Sequence, residues 1–283
     1  MCVDSDCREC VFADEGGVVN IVTLRASALS DFLDCPARAE AKHLRGLRTP
    51  STGSAALGSA IHKSTAVYDQ STIDGAGLTI DDAAGAAVDA LRQPSDEVHW
   101  DEDSINEAES IAVALHKLYC SEVAPQQDYA AVEVLCERLE IQDIGIALTG
   151  TTDRVRRLDS GYGIGDLKSG KRAVSVDGSV ETKGHALQLG VYELLAEKGS
   201  GLPITEGAMI VGLQTGKTAK GQRVSVSKPV VGARDALVGE DDSPGVLEVI
   251  ARMIHSGNFI GNPRSMLCHE KYCPIYNQCK FRM

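Results

Sequence analysis

The sequence predicts an α/β fold, in which helices flank a central mixed β-sheet of about five strands. Three strand-like segments rich in apolar and β-branched residues follow one another at 129–142, 146–158 and 161–168. After a helical segment, residues 206–214 and 222–228 again alternate as strands do. Because strands and helices are interspersed, we expect the helices to cover the sheet and to share its core.

The length and charge of the chain limit what it can be. Its 283 residues suffice for one large domain or two modest ones. The formal net charge of −12 at pH 7 argues against a broad basic surface, so any nucleic acid must bind in a local basic groove. No apolar run has the length of a membrane span, and the first residues do not resemble a signal peptide. We therefore expect a cytoplasmic protein without a membrane partner, whose oligomeric state stays open.

The first 22 residues are expected to form a tail outside the folded domain. This tail carries three cysteines, Cys2, Cys7 and Cys10. Cys7 and Cys10 have the spacing of metal ligands, but a closed zinc site needs four ligands and no fourth lies nearby. We therefore expect free thiols in the tail. The rest of the chain, residues 23–283, should form a single domain.

A helical part, residues 23–128, opens this domain. Its first helix, over 23–45, should break at Cys35-Pro36, since proline interrupts a helix. The most basic stretch of the chain lies here, with Arg38, Lys42, His43, Arg45 and Arg48. It is either a solvated helix face or a rim that contacts phosphates, and charge alone favours the solvated face.

Three further helical segments are predicted before the sheet. After a loop at 50–57, Gly58 should open a helix that runs to about Gln70 and carries His62 near its N-terminus. A lone histidine is more often a packed or surface residue than a ligand. Residues 79–122 contain two alanine-rich helices separated by a proline.

The sheet core, residues 129–230, should also contain a helix at 180–199. Gln188 and Tyr192 are four residues apart on it and therefore share a face. The last part, residues 243–283, begins with a helix over 243–256. It ends in a segment with three cysteines, Cys268, Cys273 and Cys279. Nine cysteines in a cytosolic chain of this size suggest metal or cluster ligation before disulfides.

Two carboxylates and a lysine lie on consecutive predicted strands. Asp166 and Lys168 are two residues apart, so on a strand they point to the same face. Asp153 lies on the preceding strand, within cross-strand reach. Carboxylates suit Mg²⁺ or Mn²⁺, and a lysine beside the cation can stabilise charge that develops on a phosphate. As an isolated pattern, a surface ion pair of Lys168 is the more common explanation.

Five motifs in a fixed order supply the missing context. They are Ser27-x2-Ser30-x4-Cys35-Pro36, Gly58-x3-His62, Gly150-x2-Asp153-Arg154-Val155, Asp166-x-Lys168 and Gln188-x3-Tyr192. In this order they resemble the PD-(D/E)XK nuclease superfamily, in particular the RecB-like exonucleases, whose relatives include phage recombination nucleases and CRISPR-associated exonucleases. The resemblance covers most of the chain. It implies a restriction-endonuclease-like core and a metal-dependent DNA exonuclease that acts on single strands or on DNA ends, in recombination, repair or phage DNA processing.

The resemblance also implies a role for each motif residue. His62, Asp153 and Asp166 would bind Mg²⁺ or Mn²⁺, with the main-chain carbonyl of Leu167 as a further ligand. Lys168 would serve the nucleophile. Gln188 and Tyr192 would line the DNA site. A narrow channel for a single strand would be lined by Arg38, Lys42 and Arg45, with Lys217 or Lys220 as possible additions.

Some RecB-like nucleases hold a [4Fe-4S] cluster with one early cysteine and three near the C-terminus. By this resemblance the ligands here would be Cys35, Cys268, Cys273 and Cys279. The family's C-terminal run often reads C-x2-C-x5-C, whereas four residues separate Cys268 from Cys273 here. Zinc could also occupy four thiolates, and the resemblance favours iron–sulfur. The cluster would join the first helix to the last segment.

Two other functions stay open. A nuclease that trims DNA within an integrase complex during CRISPR adaptation would use the same chemistry with a different protein partner. A catalytically silent DNA-binding or scaffold protein could keep the cluster for stability alone. The complete set of Asp153, Asp166 and Lys168 argues against a silent protein, which would have no chemical use for all three.

Overall fold

The structure, a computed structural model, describes residues 21–100, 104–240 and 243–282. Cys2, Cys7 and Cys10, predicted to be free thiols in a tail, lie outside the described residues. Within the described ranges no helix is both long and apolar enough to cross a membrane.

Strands and helices are interspersed along the described chain. The strands are β1 (Val22–Arg25), β2 (Ser51–Thr52), β3 (Val98–His99), β4 (Tyr129–Ile141), β5 (Ile146–Leu158), β6 (Gly161–Gly170), β7 (Met209–Gln214) and β8 (Arg223–Val226). The α-helices are α1 (Ala28–Asp34), α2 (Pro36–Ala39), α3 (Gly53–Ile73), α4 (Ile80–Arg92), α5 (Ile105–Leu118), α6 (Ala186–Ser200) and α7 (Val246–Ser256). Short π-helical turns extend α2 and α5, at Glu40–Leu44 and Tyr119–Val123.

A mixed sheet of six strands forms the centre of the molecule, and β5 is its hub. The antiparallel β4 pairs with β5 along nearly its whole length, from Ile146 to Arg156. Because β4 fills one edge of β5, its other two partners must share the opposite edge. There β1 pairs in parallel with residues 146–149, and β6 pairs antiparallel with residues 154–158. Residues 150–153 therefore lie at a fork between β1 and β6.

The remaining strands extend the sheet beyond β6. Strand β7 runs parallel to β6, and β8 returns antiparallel to β7. Strands β2 and β3 form a separate pair outside this sheet. The combination of parallel and antiparallel neighbours, with helices on both faces, confirms the predicted α/β class with a mixed central sheet.

The helices cover both faces of the sheet and bury its apolar side chains. Consecutive residues of β7 demonstrate the two layers, since Ile210 packs with Leu189 of α6 and Val211 packs with Leu115 of α5. Helices α1, α6 and α7 also enclose a third cluster with β1 and β5. Full burial of a Leu or Ile side chain contributes roughly 1.5–3 kcal/mol to the free energy of unfolding. The apolar side chains on both faces of the sheet are buried only because a helical layer covers each face.

The hairpin that joins β5 to β6 agrees with its sequence. Leu158 pairs with Gly161, so the two-residue turn Asp159-Ser160 connects the strands. Aspartate, serine and glycine favour such turns because they tolerate or stabilise the turn backbone. The register that this turn sets extends to Arg154 opposite Gly165, at the start of the fork.

Several element boundaries differ from those predicted, and the largest differences concern β1, α3 and α6. Residues 23–25 belong to β1, not to a helix, because Val22 and Leu24 pair with β5 and the β-branched Val22 and Thr23 favour a strand. This strand is the reason that the sheet has six strands. The break at Cys35-Pro36 is confirmed, since α1 ends at Asp34 and α2 begins at Pro36.

Helix α3 begins five residues earlier than predicted. Thr52 is its N-cap and accepts a hydrogen bond from Ala55 N through its hydroxyl, so the helix starts at Gly53. His62 consequently lies near the middle of a 21-residue helix and not near its N-terminus. Helix α6 begins later than predicted, at Ala186. It ends at Ser200, and Gly201 caps it in a left-handed backbone conformation.

Candidate active site

The two predicted carboxylates meet at the fork in the sheet. Arg154 pairs with Gly165, so the next step of the register brings Asp153 beside Asp166. The backbone N–H of Leu167 donates a hydrogen bond of 2.8 Å to Asp153 Oδ2. This contact is possible because β1 ends before Asp153 and no other strand occupies that edge of β5. The fork therefore orients the carboxylate of Asp153.

Asp166 and Lys168 share one face of β6, as the spacing predicts. Lys168 Nζ lies 2.8 Å from Asp166 Oδ2 in an ion pair. The carboxylate is buried, and Oδ2 has no hydrogen bond of regular geometry. Burial raises the pKa of Asp166 to about 6, because the opposing charge of Lys168 offsets burial only in part and Asp153 adds a like charge. Asp166 is thus a carboxylate whose charge is incompletely compensated.

His62 of α3 contacts the same pair. Its Nδ1 lies 3.4 Å from Asp153 Oδ1. Burial is the largest influence on the imidazole and opposes its protonation, but the charge and hydrogen bond of Asp153 and the charge of Asp166 together raise the pKa of His62. Burial likewise opposes ionisation of Asp153, yet the charge and hydrogen bond of His62, the Leu167 N–H and the charge of Arg154 together hold the pKa of Asp153 below its ordinary value. The two groups stabilise each other as an ion pair.

Gly58 explains how α3 comes close enough to place His62. A Cβ at Gly58 would lie 2.8 Å from Ser169 Oγ of β6, which is too close for an ordinary contact. Glycine therefore lets this turn of α3 pack directly on β6. His62 follows one helical turn later and reaches Asp153.

The two predicted residues of α6 also reach the site. Gln188 Nε2 donates a hydrogen bond of 2.9 Å to the Tyr192 hydroxyl. Burial raises the pKa of Tyr192 above its ordinary value, and the charges of Asp166 and Asp153 raise it further, so the phenol lies within electrostatic range of both carboxylates. Helix α3, strands β5 and β6 and helix α6 therefore bring six predicted residues together: His62, Asp153, Asp166, Lys168, Gln188 and Tyr192.

Glu133 of β4 is a neighbour of the site that was not among the residues predicted from the motifs. The β4–β5 register puts it opposite Asp153, between the pairs Val134–Thr152 and Val132–Arg154. It is a non-glycine residue with φ of 50°, an unusual conformation that is common at functional sites. The position of Glu133 opposite Asp153 follows only from the register of β4 and β5. The local sequence around Glu133 contains no pattern that predicts it.

Glu133 also borders the open side of the site. Together with Gly58, Ser59, His62 and Lys63 it lines an open pocket of about 320 Å³. Burial raises the pKa of Glu133, and the nearby charge of Asp153 adds to this shift. A substrate can approach the carboxylates from this side.

Three of the residues predicted to line a DNA channel, Arg38, Lys42 and Arg45, lie on α2, on the π-helical turn after it and at the C-cap of that turn, where each forms an ion pair. Arg38 is only 3% exposed and forms ion pairs of 3.0 Å with Asp31 and with Asp34. It joins α2 to the C-terminal segment and does not face solvent. Lys42 and Arg45 are about half exposed, but they pair with Asp31 and Glu40.

The two lysines named as possible additions lie elsewhere on the surface. Lys217 pairs with Glu107 at 2.9 Å, and Lys220 lies in an exposed turn. The role of these lysines, and of Arg38, Lys42 and Arg45, in DNA binding stays a prediction.

The four predicted cluster ligands line one cavity. This cavity has a volume of only about 10 Å³, and its walls include Cys35, Cys268, Cys273 and Cys279. The backbone N–H of Asn262 donates a hydrogen bond of 3.3 Å to Cys35 Sγ. Burial raises the pKa of the Cys273 thiol, and the neighbouring Cys35 and Cys279 raise it further. The early cysteine is thus brought to the C-terminal segment.

Neither site holds its side chains at metal-ligand spacing. In the part of the chain that the structure describes, no group of three or more His, Cys, Asp or Glu residues is arranged to hold a metal ion. At the fork, the donors nevertheless fit a hard divalent cation, because they are two carboxylates and an imidazole. The buried Asp166 Oδ2 without a regular hydrogen bond is the atom that such a cation would satisfy.

Comparison with protein families agrees with this geometry. A model of the PD-(D/E)XK nuclease superfamily matches residues 23–280, nearly the whole chain. The chain belongs to the PD-(D/E)XK nuclease superfamily, whose members are nucleases that typically use Mg²⁺ or Mn²⁺. No curated protein matches the chain.

Proposed function

We propose that this protein is a metal-dependent DNA exonuclease of the RecB-like type, acting on single strands or on DNA ends. A single nuclease domain would span residues 23–283. The observation that carries the proposal is the meeting of Asp153, Asp166, Lys168 and His62 at the fork of the sheet. His62 lies about 90 residues before the other three in the sequence, and a surface ion pair between Lys168 and Asp166 would require neither His62 nor Asp153.

Four groups would hold the cation: the carboxylates of Asp153 and Asp166, the imidazole of His62 and the main-chain carbonyl of Leu167. A bound Mg²⁺ or Mn²⁺ would neutralise the phosphate and lower the pKa of a water molecule. The Leu167 N–H already orients the carboxylate of Asp153 for this task.

Lys168 has the chemistry to assist the attacking water. Its ammonium lies 2.8 Å from Asp166 Oδ2. Beside that carboxylate it could donate hydrogen bonds to the attacking water and to phosphate oxygens, where negative charge develops. The expected products carry a 5′-phosphate. Gln188 and Tyr192, already hydrogen-bonded to each other, would contact the DNA beside the scissile phosphate.

We further propose that Cys35, Cys268, Cys273 and Cys279 hold a [4Fe-4S] cluster, with zinc as the less favoured alternative. In support, all four line one cavity. Asn262 N donates to Cys35 Sγ, the kind of contact that tunes and stabilises a cluster thiolate. The role would be structural, because the cavity joins α1 and α2 to the C-terminal segment.

A nuclease that trims DNA for CRISPR adaptation would share all of this chemistry. Its distinguishing property would be a stable complex with an integrase, which a pull-down would detect. A silent scaffold protein is less favoured, since a scaffold has no need for two adjacent buried carboxylates beside a lysine.

The test is digestion of end-labelled single- and double-stranded DNA in Mn²⁺, with 5′ and 3′ labels compared. We expect Lys168→Ala and Asp153→Ala to abolish hydrolysis while the protein stays folded by circular dichroism. Lys171→Ala is the matched control, an exposed lysine just beyond β6, and should keep full activity. Full activity in either site variant would refute the proposal.

A further inference from the structure

Arg154 is a fully buried arginine beside the active site, to which no role has been assigned so far. It follows Asp153 on β5 and is 0% exposed. Its Nη1 donates to the main-chain carbonyl of Asp153 at 2.8 Å, and its Nε donates to Asp69 Oδ2 at 2.6 Å. Nη2 donates to Thr65 Oγ1 at 3.2 Å. One guanidinium therefore connects the backbone at Asp153 to two residues of α3.

His62, Thr65 and Asp69 lie on one face of α3, because they are three and four residues apart. His62 contacts Asp153, and the other two contact Arg154. In a regular strand, consecutive side chains point to opposite faces. Here two consecutive residues of β5 reach the same helix, opposite the unusual backbone of Glu133. These side-chain contacts connect α3 to β5 at this point.

A second layer of contacts keeps Asp69 in place. The Tyr119 hydroxyl donates to Asp69 Oδ2 at 2.6 Å and lies 3.2 Å from the Tyr129 hydroxyl. The Arg154 guanidinium lies 5.8 Å from the centre of the Tyr129 ring. Asp69 is only 3% exposed, so water cannot replace these partners. The planar guanidinium can satisfy three acceptors in fixed directions, which a lysine ammonium on a flexible stem cannot reproduce.

We propose that Arg154 and Asp69 are positioning residues of the active site, which hold α3 at the distance from β5 at which His62 meets Asp153. Neither side chain would contact the metal or the DNA. Arg154 acts through the main chain of Asp153, and Asp69 acts through the helix that carries His62. The inference rests on the proposed function for its catalytic consequence, and on the contacts above for its geometry.

The test compares two buried arginines of the same strand. Arg154→Lys keeps the positive charge and removes the planar guanidinium whose hydrogen bonds reach α3. Arg156→Lys is the matched control, because Arg156 is also buried but donates to Ile164 O and Gly207 O, away from α3. Both variants lose hydrogen bonds of a buried guanidinium, so both should lower the midpoint of thermal unfolding.

The measurements are kcat and KM on a DNA oligonucleotide and Mn²⁺ affinity by calorimetry without DNA. We expect Arg154→Lys to lower kcat and Mn²⁺ affinity by about 10-fold or more, with KM for DNA within about twofold, as for other residues that support metal ligands. Arg156→Lys should keep kcat and Mn²⁺ affinity. Equal losses in the two variants would mean a general effect on stability and would overturn the proposal.

A structural measurement separates this proposal from the proposed function. In a crystal structure of metal-free Arg154→Lys, the distance between His62 Nδ1 and Asp153 Oδ1 should increase from 3.4 Å beyond hydrogen-bonding range. It should be unchanged in Arg156→Lys. An unchanged distance in Arg154→Lys overturns the positioning role, even if the wild-type protein binds no Mn²⁺. If Arg154→Lys does not fold, the same measurements are made on Asp69→Asn, which keeps the shape of the side chain. The same results are expected of it, and the same results would overturn the proposal.

Discussion

At the scale of single residues, Asp153 is the most constrained group of the site. Its carboxylate accepts from the Leu167 N–H and pairs with His62, and its carbonyl accepts from Arg154. Its neighbour Asp166 is buried with a less complete set of partners. The two carboxylates therefore have opposite pKa shifts, lowered for Asp153 and raised for Asp166. Two adjacent acids in different environments are typical of a site that binds a cation or moves a proton.

Asp31 offers a prediction about pH that does not involve the active site. It accepts from Arg38, Lys42 and His43, at 3.0, 2.8 and 2.7 Å. Burial alone would raise its pKa, but hydrogen bonds from His43 and Lys42 hold the pKa of Asp31 well below its ordinary value. The ionised carboxylate therefore stabilises the fold above about pH 4, and this contribution is lost as the pH falls further.

We expect Asp31→Asn to lower the free energy of unfolding by about 2–3 kcal/mol at pH 7. The difference from the wild type should shrink as the pH falls from about 4 to about 3, measured by urea unfolding. Asp128→Asn is the control, because Asp128 forms an exposed ion pair with Arg157 and should change stability by less than about 1 kcal/mol. A difference for Asp31→Asn that stays constant with pH would contradict the assignment.

At the scale of elements, α3 organises the active site. Gly58 brings the helix onto β6, His62 meets Asp153, and Asp69 meets Arg154. Helix α6 closes the other side with Gln188 and Tyr192. Small errors in the distance between α3 and the sheet should therefore appear as lost activity before they appear as lost folding.

Gly58→Ala tests this dependence on distance. Alanine favours the helix by roughly 1 kcal/mol, but its Cβ would lie 2.8 Å from Ser169 Oγ, so α3 or the serine must move. We expect a loss of about 10-fold in kcat, because a catalytic group is displaced. Ser169→Ala alone should be nearly neutral. The double variant Gly58→Ala with Ser169→Ala should recover most of the activity, measured by digestion of labelled DNA.

Gly85 of α4 provides the control for the intrinsic effect of alanine. Apart from the adjacent residues and the backbone of the helix itself, no atom lies within 4 Å of a Cβ built there. Gly85→Ala should therefore raise the free energy of unfolding by about 0.5–1 kcal/mol without changing kcat. A double variant at Gly58 and Ser169 that is no more active than Gly58→Ala would show that the contact with Ser169 does not set the position of α3.

At the scale of the whole molecule, the C-terminal segment is bound to the first helices. Asn262 Nδ2 donates to Asp34 O at 2.8 Å, and Ser265 Oγ donates to Asp34 Oδ2 at 2.6 Å. Arg38 Nη1 reaches Ser265 Oγ at 3.3 Å. These contacts join residues more than 220 positions apart without any help from the cysteines. A cluster held by the four cysteines would reinforce an existing contact.

Cys279→Ser tests the proposed cluster. Protein purified without oxygen should be brown and absorb broadly in the visible range, and Cys279→Ser should lose colour and solubility, because four thiolates hold the cluster. Cys120→Ala is the control, since Cys120 packs against His116 away from the cavity and should keep the colour. A colourless wild-type protein with stoichiometric zinc would refute the iron–sulfur assignment.

Much of the architecture could be predicted from local patterns. The strands β4 to β6, their turn and the break at Cys35-Pro36 all follow from alternation, turn residues and proline, which act over a few positions. The start of α3 and the existence of β1 did not follow from such local patterns. The first depends on the Thr52 cap, and the second depends on pairing with β5 more than 120 residues later.

What the sequence determined by itself is the mixed α/β class and the identity of the motif residues, including Asp153, Asp166 and Lys168. Their order along the chain sufficed to indicate a nuclease family. Only the tertiary structure decided how they meet, because the fork at residues 150–153, the position of Glu133 and the buried Arg154–Asp69 pair depend on strand register and helix packing. Register and packing are set by contacts between distant segments, which no local pattern contains.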